Sequence, residues 1–121
     1  MTVYNKTRNA VVSGKVDKAE DFKSRLAGLI PRRFLGPEEG LWIGSCASIH
    51  MLFMKFAIDA VFLDKNMRVV RIIRSLKPWR FSPWVWGADS VLELPAGRSD
   101  GRITEGDTLE ITAVIVPPME S

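Results

Sequence analysis

The sequence predicts a mainly β protein, either a compact antiparallel β-barrel or a sandwich, with one α-helix packed on it. Short runs rich in β-branched and aromatic residues recur along the 121-residue chain, and turns containing Gly, Pro, Asn or Asp separate them. Only one stretch has the apolar spacing of an amphipathic helix. With 46% hydrophobic residues, the chain is large enough for one core and too small for two, which predicts a single domain over residues 1–121.

The first predicted elements are a hairpin and a helix. Residues 3–14 contain two β-prone pairs, and the turn between them is expected at residues 5–8. A helix is predicted to follow, because Asp17 can cap its first turn and Glu20 can complete a capping box. Pro31 marks its end. The apolar stripe of this helix consists of Phe22, Leu26, Leu29 and Ile30.

The rest of the chain is predicted to form strands joined by turns. Residues 45–64 are expected to form two consecutive, mostly buried strands, the first over residues 46–56, where a bulge would shift which side chains share a face. A hairpin is predicted around residues 64–66, where Asn66 can adopt the left-handed conformation of a tight turn. Residues 77–88 lack periodicity and contain three of the four Trp, which predicts a loop. The remaining strands are expected at residues 41–43, 58–63, 68–73, 91–94 and 108–116.

The net charge is only +3, but the charges are unevenly distributed. Residues 65–88 carry six basic and no acidic side chains, at every third position: Lys65, Arg68, Arg71, Arg74, Lys77 and Arg80. On a strand this spacing sends successive charges to opposite faces. The split weakens the case for a continuous basic stripe and argues against nucleic acid as a partner.

Compartment and assembly are predicted from what the sequence lacks. No window approaches the roughly 18 apolar residues of a membrane span, and the first residues lack the apolar core of a secretory signal. The lone Cys46 permits no internal disulfide, which suits a reducing compartment. We therefore expect a cytoplasmic monomer or weak dimer with no membrane partner.

Residues 45–64 hold the only Cys and the only His of the chain within a mostly apolar run. Cys46 and His50, with Met51 and Met54 nearby, are possible ligands for copper or zinc, but a structural zinc site needs about four Cys or His ligands. We therefore predict no metal and no cofactor. As a nucleophile and base, Cys46 and His50 would be about 13 Å apart on a strand, which excludes direct hydrogen bonding unless the chain turns between them.

Lys55 and Asp59 interrupt the same apolar run and are the leading site candidates. A charge in such a run must reach solvent or be paired, because an isolated buried charge is very costly. One interpretation is a pocket mouth where Lys55 meets an anionic ligand, with His50 and Asp59 orienting it. The alternative is a structural ion pair that closes the end of two strands.

The Trp-rich loop supports a second candidate site. Its aromatic side chains could contact bases or sugars, with Lys77 and Arg80 supplying positive charge. More commonly, such residues clamp a loop onto its own domain, because Trp buries a large apolar area. The aromatic residues concerned are Trp79, Phe81, Trp84 and Trp86.

Three functions follow, in order of preference. The first is a non-enzymatic ligand-binding or interaction module that takes a small anionic molecule or a peptide terminus. The second is a hydrolase that uses His50 as its general base. The third is a weak binder of single-stranded nucleic acid through the Trp-rich loop. The chain contains no dinucleotide, phosphate-loop, catalytic-triad or zinc signature that would favour another class.

Several phrases resemble a known family in the same order along the chain: RLAGLI at residues 25–30, SIHMLFMKFAIDAVFLD at 48–64, VLELPAG at 91–97 and EGD at 105–107. They are similar to the small bacterial and archaeal family called domain of unknown function 192. The resemblance implies a compact, predominantly β fold with a single helix and no established activity. It also implies Arg25 and Arg98 as further ligand contacts. Many family members have an FWMKNT-like phrase where this chain has LFMKFA.

Overall fold

The computed structural model describes residues 1–19, 32 and 34–113, which form eight strands in two open sheets. The smaller sheet has the order β2-β1-β8, and the larger has the order β3-β4-β7-β5-β6. The mainly β prediction is confirmed, but the strands of the described residues do not close into a barrel. The strands are β1 (Thr2–Asn5), β2 (Ala10–Ser13), β3 (Lys15–Ala19), β4 (Glu39–Gly44), β5 (Ile58–Leu63), β6 (Val69–Leu76), β7 (Ser90–Pro95) and β8 (Leu109–Thr112).

The predicted helix is not found among the described residues. Its expected cap, Asp17, lies inside β3 opposite Leu41, in a parallel pairing with β4. The partner strand thus outweighs the local capping signal, and the pairing also shows that the larger sheet is not purely antiparallel. The body of the predicted helix falls in residues 20–31, outside the described residues. No helix in the described part of the chain is long and apolar enough to cross a membrane.

Most of the predicted strands and both predicted hairpins are confirmed. β1 and β2 pair as the first hairpin, and β5 and β6 pair as the second, with β5 covering the predicted residues 58–63. In the second turn, the carboxylate of Asp64 accepts hydrogen bonds from the amides of Asn66 at 2.8 Å and Arg68 at 3.0 Å. The left-handed residue is Met67, with φ of 63°, and not Asn66 as predicted.

The strand predicted for residues 46–56 is wrong. Residues 45–57, the first loop, have left-handed backbone at Ser45 and Phe53, and their isolated β-bridge joins His50 to Phe81 of the second loop, residues 77–89. The apolar pattern reflects burial instead, because Ile49, Met51 and Met54 are almost fully buried. A buried apolar run does not distinguish a strand from a loop packed on a sheet.

Two apolar clusters lie on opposite faces of the larger sheet. On one face, residues such as Val61 and Leu92 pack against the smaller sheet. On the other face, Ala60 and Phe62 pack against the two loops, which contribute the buried side chains of Ile49, Met51, Met54 and Val85. β5 is therefore buried along its whole length, and the two loops form a layer over one face of the sheet.

Candidate functional site

Backbone hydrogen bonds hold the two loops side by side. The amide of Ile49 also donates to the hydroxyl oxygen of Ser82 at 2.9 Å. Because both backbones are tied at several points, the side chains that the loops present are held in fixed relative positions. The backbone hydrogen bonds run from Met51 N to Arg80 O, Trp79 N to Met51 O, Ser82 N to Ile49 O and Val85 N to Ala47 O, at 2.8–2.9 Å.

The loops expose an unusual number of aromatic side chains. Their exposed fractions range from 57% for Trp79 to 86% for Trp86. The only other large hydrophobic side chains exposed in the described residues are Val11 and Phe34. The clamp interpretation therefore fails for these side chains, and the second loop packs inward through Ser82 and Val85 instead. We call the five residues the aromatic surface: Phe53, Trp79, Phe81, Trp84 and Trp86.

Ring contacts orient this aromatic surface. Phe53 meets Trp79 edge-on with ring centroids 5.0 Å apart, and Trp84 meets Trp86 edge-on at 6.3 Å. Phe81 lies 6.5 Å from the His50 imidazole at a tilted angle. Edge-on contacts are favourable arrangements for aromatic rings. They restrict ring rotation while much of each side chain stays in solvent.

A groove of about 280 Å³ opens beside these rings. We call it the aromatic groove. Its apolar walls include Ile49, Phe81 and Trp84, and its polar lining groups include Ser45, Ser48 and His50. Mostly apolar walls with a few polar groups are typical of small-ligand sites.

His50 and Cys46 both line the aromatic groove. Nδ1 of His50 accepts a hydrogen bond from the amide of Leu52 at 3.3 Å. The Cys46 thiol donates to the carbonyl oxygen of Ser48 at 3.0 Å. Across the described ranges, no three His, Cys, Asp or Glu side chains are grouped in a way that could hold a metal ion.

Asp59 is fully buried and serves as a hydrogen-bond acceptor inside the fold. Its Oδ1 accepts from the amide of Ser75 at 2.9 Å, at a bulge where Ser75 has φ of 54°. Its Oδ2 accepts from the amides of Gly97 and Ser99 at 3.1 and 3.0 Å and from the Ser99 hydroxyl at 2.5 Å. Asp59 therefore joins three separate chain segments and does not line the aromatic groove.

The predicted pocket mouth of His50, Lys55 and Asp59 is not assembled. Lys55 is exposed on the first loop, and in the part of the chain that the structure describes no hydrogen bond or ion pair joins it to Asp59. The alternative of a closing Lys55–Asp59 ion pair fails for the same reason. The cause is the direction of the Asp59 side chain, which turns inward to satisfy backbone amides.

Arg98 also has a structural position. Its Nε and Nη2 donate to the carbonyl oxygen of Val12 in β2 at 3.0 and 2.7 Å, and Nη2 lies 3.1 Å from Glu38. Arg98 thereby ties the turn after β7 to the smaller sheet and is not a lining residue of the aromatic groove. Arg25, the other residue implied by resemblance, lies outside the described residues.

The loops also carry exposed cations, namely Lys55, Lys77 and Arg80, and none of them forms an ion pair with another described residue. On β6, Arg71 pairs opposite Phe62 on the face that the loops cover. Arg74 lies on the other face, where it binds Asp100 at 2.7 Å and the carbonyl oxygen of Ile103. The basic block is therefore split between faces, as its spacing predicts.

Sequence reasoning did not identify the aromatic groove or the role of Phe53. Phe53 falls within the predicted strand, where its ring would have been a core residue. The usable signal was the pair Ser45 and Ser48, because hydroxyl side chains at the start of an apolar run indicate irregular backbone.

The model of the DUF192 family, described as Uncharacterized ACR, matches residues 3–111. The chain belongs to the DUF192 family. A UPF0127 protein of Pyrococcus furiosus is 36% identical over 117 residues, which cover 93% of this DUF192 chain and 100% of that protein. A UPF0127 protein of Thermococcus sibiricus is 38% identical over 105 residues, covering 81% of this chain and 66% of that protein.

Two solved structures share the fold of this DUF192 protein. A protein of unknown function from Novosphingobium aromaticivorans has a TM-score of 0.75 at 24% identity, covering 91% of this chain and 82% of that one. A protein of Sinorhizobium meliloti described as a putative transcription regulator has a TM-score of 0.73 at 22% identity, covering 90% and 89%. At these identities the likeness establishes the fold alone.

Proposed function

We propose that this DUF192 protein is a non-enzymatic binding module whose aromatic groove and aromatic surface hold an anionic partner that carries an apolar or aromatic group. The observation that carries the proposal is the exposure of five aromatic side chains on two hydrogen-bonded loops. Contiguous exposed apolar area on a folded protein marks an interaction site far more often than isolated apolar residues do.

The energetics favour binding at this place. Covering apolar surface contributes roughly 25 cal/mol per Å², and aromatic rings offer large areas at a low cost in rotamer entropy. The loops are already tied together by backbone hydrogen bonds, so little ordering is required when a partner binds.

The sign of the partner's charge follows from the loop cations. Lys55, Lys77 and Arg80 are exposed cations of the two loops, and the acidic side chain of these loops is the exposed Asp89 at the end of the second loop. With three cations and one acidic side chain, the two loops carry a net positive charge and attract an anionic group beside the rings. This retains the anionic ligand of the sequence-based proposal and moves it away from Asp59.

The hydrogen bond of His50 disfavours the hydrolase alternative. Nδ1 accepts from the Leu52 amide, so the neutral imidazole carries its proton on Nε2. A general base needs an available lone pair within reach of the proton that it abstracts. In this arrangement Nδ1 is occupied and Nε2 is a donor, so His50 suits orientation of a ligand better than proton abstraction.

The test uses 1-anilinonaphthalene-8-sulfonate, an aromatic anion whose fluorescence rises in apolar surroundings. We expect saturable binding to the folded protein, and we expect Trp84→Ala to weaken it by about fivefold or more. Phe34→Ala is the matched control, because Phe34 is an exposed aromatic residue outside both loops. Equal effects of the two substitutions, or the absence of saturable binding, would contradict the proposal.

A further inference from the structure

We infer that the partner is a single-stranded nucleic acid, with one base held in the aromatic groove and neighbouring bases stacked on the aromatic surface. This inference rests on the proposed function and names the chemical class that the site takes. It depends on the shape and polarity of the groove, on the exposed rings beside it and on the cations of the same loops.

The lining of the groove matches a planar heteroaromatic ring. Phe81 and Trp84 offer ring surfaces for stacking, while His50 and the Ser45 and Ser48 residues place polar groups in the same groove of about 280 Å³. A nucleobase combines an apolar face with a polar edge, so it uses both kinds of lining. A lipid acyl chain has no polar edge and would use only the apolar part of this lining.

The rings beyond the groove extend the stacking surface. Trp86 is the most exposed of the described large hydrophobic residues, and its ring lies next to that of Trp84. Trp79 precedes Phe81 on the same loop and contacts Phe53 of the first loop. Stacking tolerates any base, because every base has a π face, so we expect little sequence preference.

The cations suit a short stretch of phosphodiester backbone. Lys77 and Arg80 lie on the same loop as the rings, and Lys55 lies on the other loop. Arg74 is excluded, because it faces the opposite side of the sheet and binds Asp100. With about three phosphate contacts, the logarithm of affinity should fall with the logarithm of salt at a slope of about −2.

The sequence argued against nucleic acid because charges on β6 alternate between faces and because a clamp would bury the Trp side chains. In the structure the charges on β6 do alternate between faces, but the aromatic rings are exposed. Stacking on these rings, and not a basic stripe, is therefore the principal source of affinity. The expected complex is therefore modest in affinity and only moderately sensitive to salt.

The experiment measures fluorescence anisotropy of a labelled dodecamer of thymidine with the folded protein at 50 and 200 mM salt. We expect micromolar binding that exceeds binding to a duplex of the same length. Trp84→Ala and Trp86→Ala should each weaken it about tenfold, whereas Phe34→Ala should have no effect. Lys77→Gln with Arg80→Gln should make the salt slope shallower by about 1.4. Circular dichroism of each variant confirms that the fold is intact.

The outcomes separate this inference from the proposed function. Binding of 1-anilinonaphthalene-8-sulfonate without binding of the oligonucleotide would overturn the nucleic-acid inference alone, and failure of both probes would overturn both. Equal binding to single strand and duplex, unaffected by Trp84→Ala, would contradict stacking. Binding to vesicles of phosphatidylglycerol and phosphatidylcholine in place of the oligonucleotide would assign the surface to a membrane and reject the inference.

Discussion

The carboxylate of Asp59 is bound to Ser99 twice, through the Ser99 amide at 3.0 Å and the Ser99 hydroxyl at 2.5 Å. The same carboxylate also binds the amides of Ser75 and Gly97. One buried side chain thus joins β5 to the bulge in β6 and to the turn after β7. Acidic residues in an apolar run are natural candidates for a ligand site, but this one satisfies the backbone of its own fold.

Asp59→Asn should destabilise the protein by about 3 kcal/mol. The substitution replaces one carboxylate oxygen by an NH2 group, whose N–H bonds then point at backbone N–H donors. Those donors lose their acceptor, and a buried donor without an acceptor costs about 1–3 kcal/mol. Ser99→Ala is the matched control and should cost about 1 kcal/mol, because it removes only the hydroxyl contact. Urea denaturation measures both. An Asp59→Asn change below about 0.5 kcal/mol would refute the structural role.

Lys55→Met should change the free energy of unfolding by less than about 1 kcal/mol, because Lys55 is exposed and has no contact with Asp59. The double variant with Asp59→Asn should show a coupling energy below about 0.5 kcal/mol. A coupling of several kcal/mol in urea denaturation would instead reveal a buried Lys55–Asp59 pair.

Arg98→Met should destabilise the protein by about 2 kcal/mol, because the carbonyl oxygen of Val12 loses two hydrogen bonds from a charged donor. Arg98→Lys should recover only part of this, since an ammonium lacks the planar fork of a guanidinium. Glu38→Gln provides the comparison and should cost less than about 1 kcal/mol, because Glu38 is half exposed. Thermal or urea unfolding at neutral pH distinguishes these values. Equal stability of the Arg98→Met variant and the parent protein would show that the hydrogen bonds between Arg98 and Val12 do not stabilise the fold.

Acid should weaken the protein partly through Asp107. Burial raises the pKa of this carboxyl, but hydrogen bonds from Asn5, the Thr104 amide and Arg8 outweigh burial and hold the pKa below its ordinary value of 3.8. A lowered folded-state pKa stabilises the fold above the unfolded-state pKa, and this contribution is lost as the pH falls through the folded-state pKa.

The measurement is urea denaturation of Asp107→Asn between pH 7 and pH 2. The variant should be less stable at neutral pH and should lose less stability on acidification than the parent protein. Val11→Ala, an exposed and uncharged site in β2, should keep the parental pH dependence. The same acid slope in Asp107→Asn and the parent would exclude this contribution.

The sequence predicted strands well where local preference and long-range packing agree. The β5–β6 hairpin has β-branched residues on both strands and an Asp64 turn between them, and its first strand was predicted from end to end. The prediction from sequence failed at Asp17, where pairing with the parallel strand β4 decides the local structure. The prediction also failed at residues 46–56, because a loop whose side chains are buried against a sheet has the same apolar pattern as a strand.

The candidate site was predicted only in part. The Trp-rich loop was identified as a possible contact surface, but the sequence does not reveal whether a Trp faces the core or the solvent. The role of Asp59 depends on amides from Ser75, Gly97 and Ser99, which are distant in sequence. Side-chain direction at such positions is set by tertiary packing, which a local pattern does not contain.

The pairing of β1 with β8 has a consequence for the order of folding during synthesis. Asn5 of β1 pairs with Leu109 of β8, and its side chain binds Asp107, which is 102 positions away. During translation, β1 and β2 can form a hairpin early, but β1 keeps one edge without its final partner until the ribosome has released β8. The smaller sheet is therefore completed late, and until then its exposed strand edge is a place where nascent chains can associate.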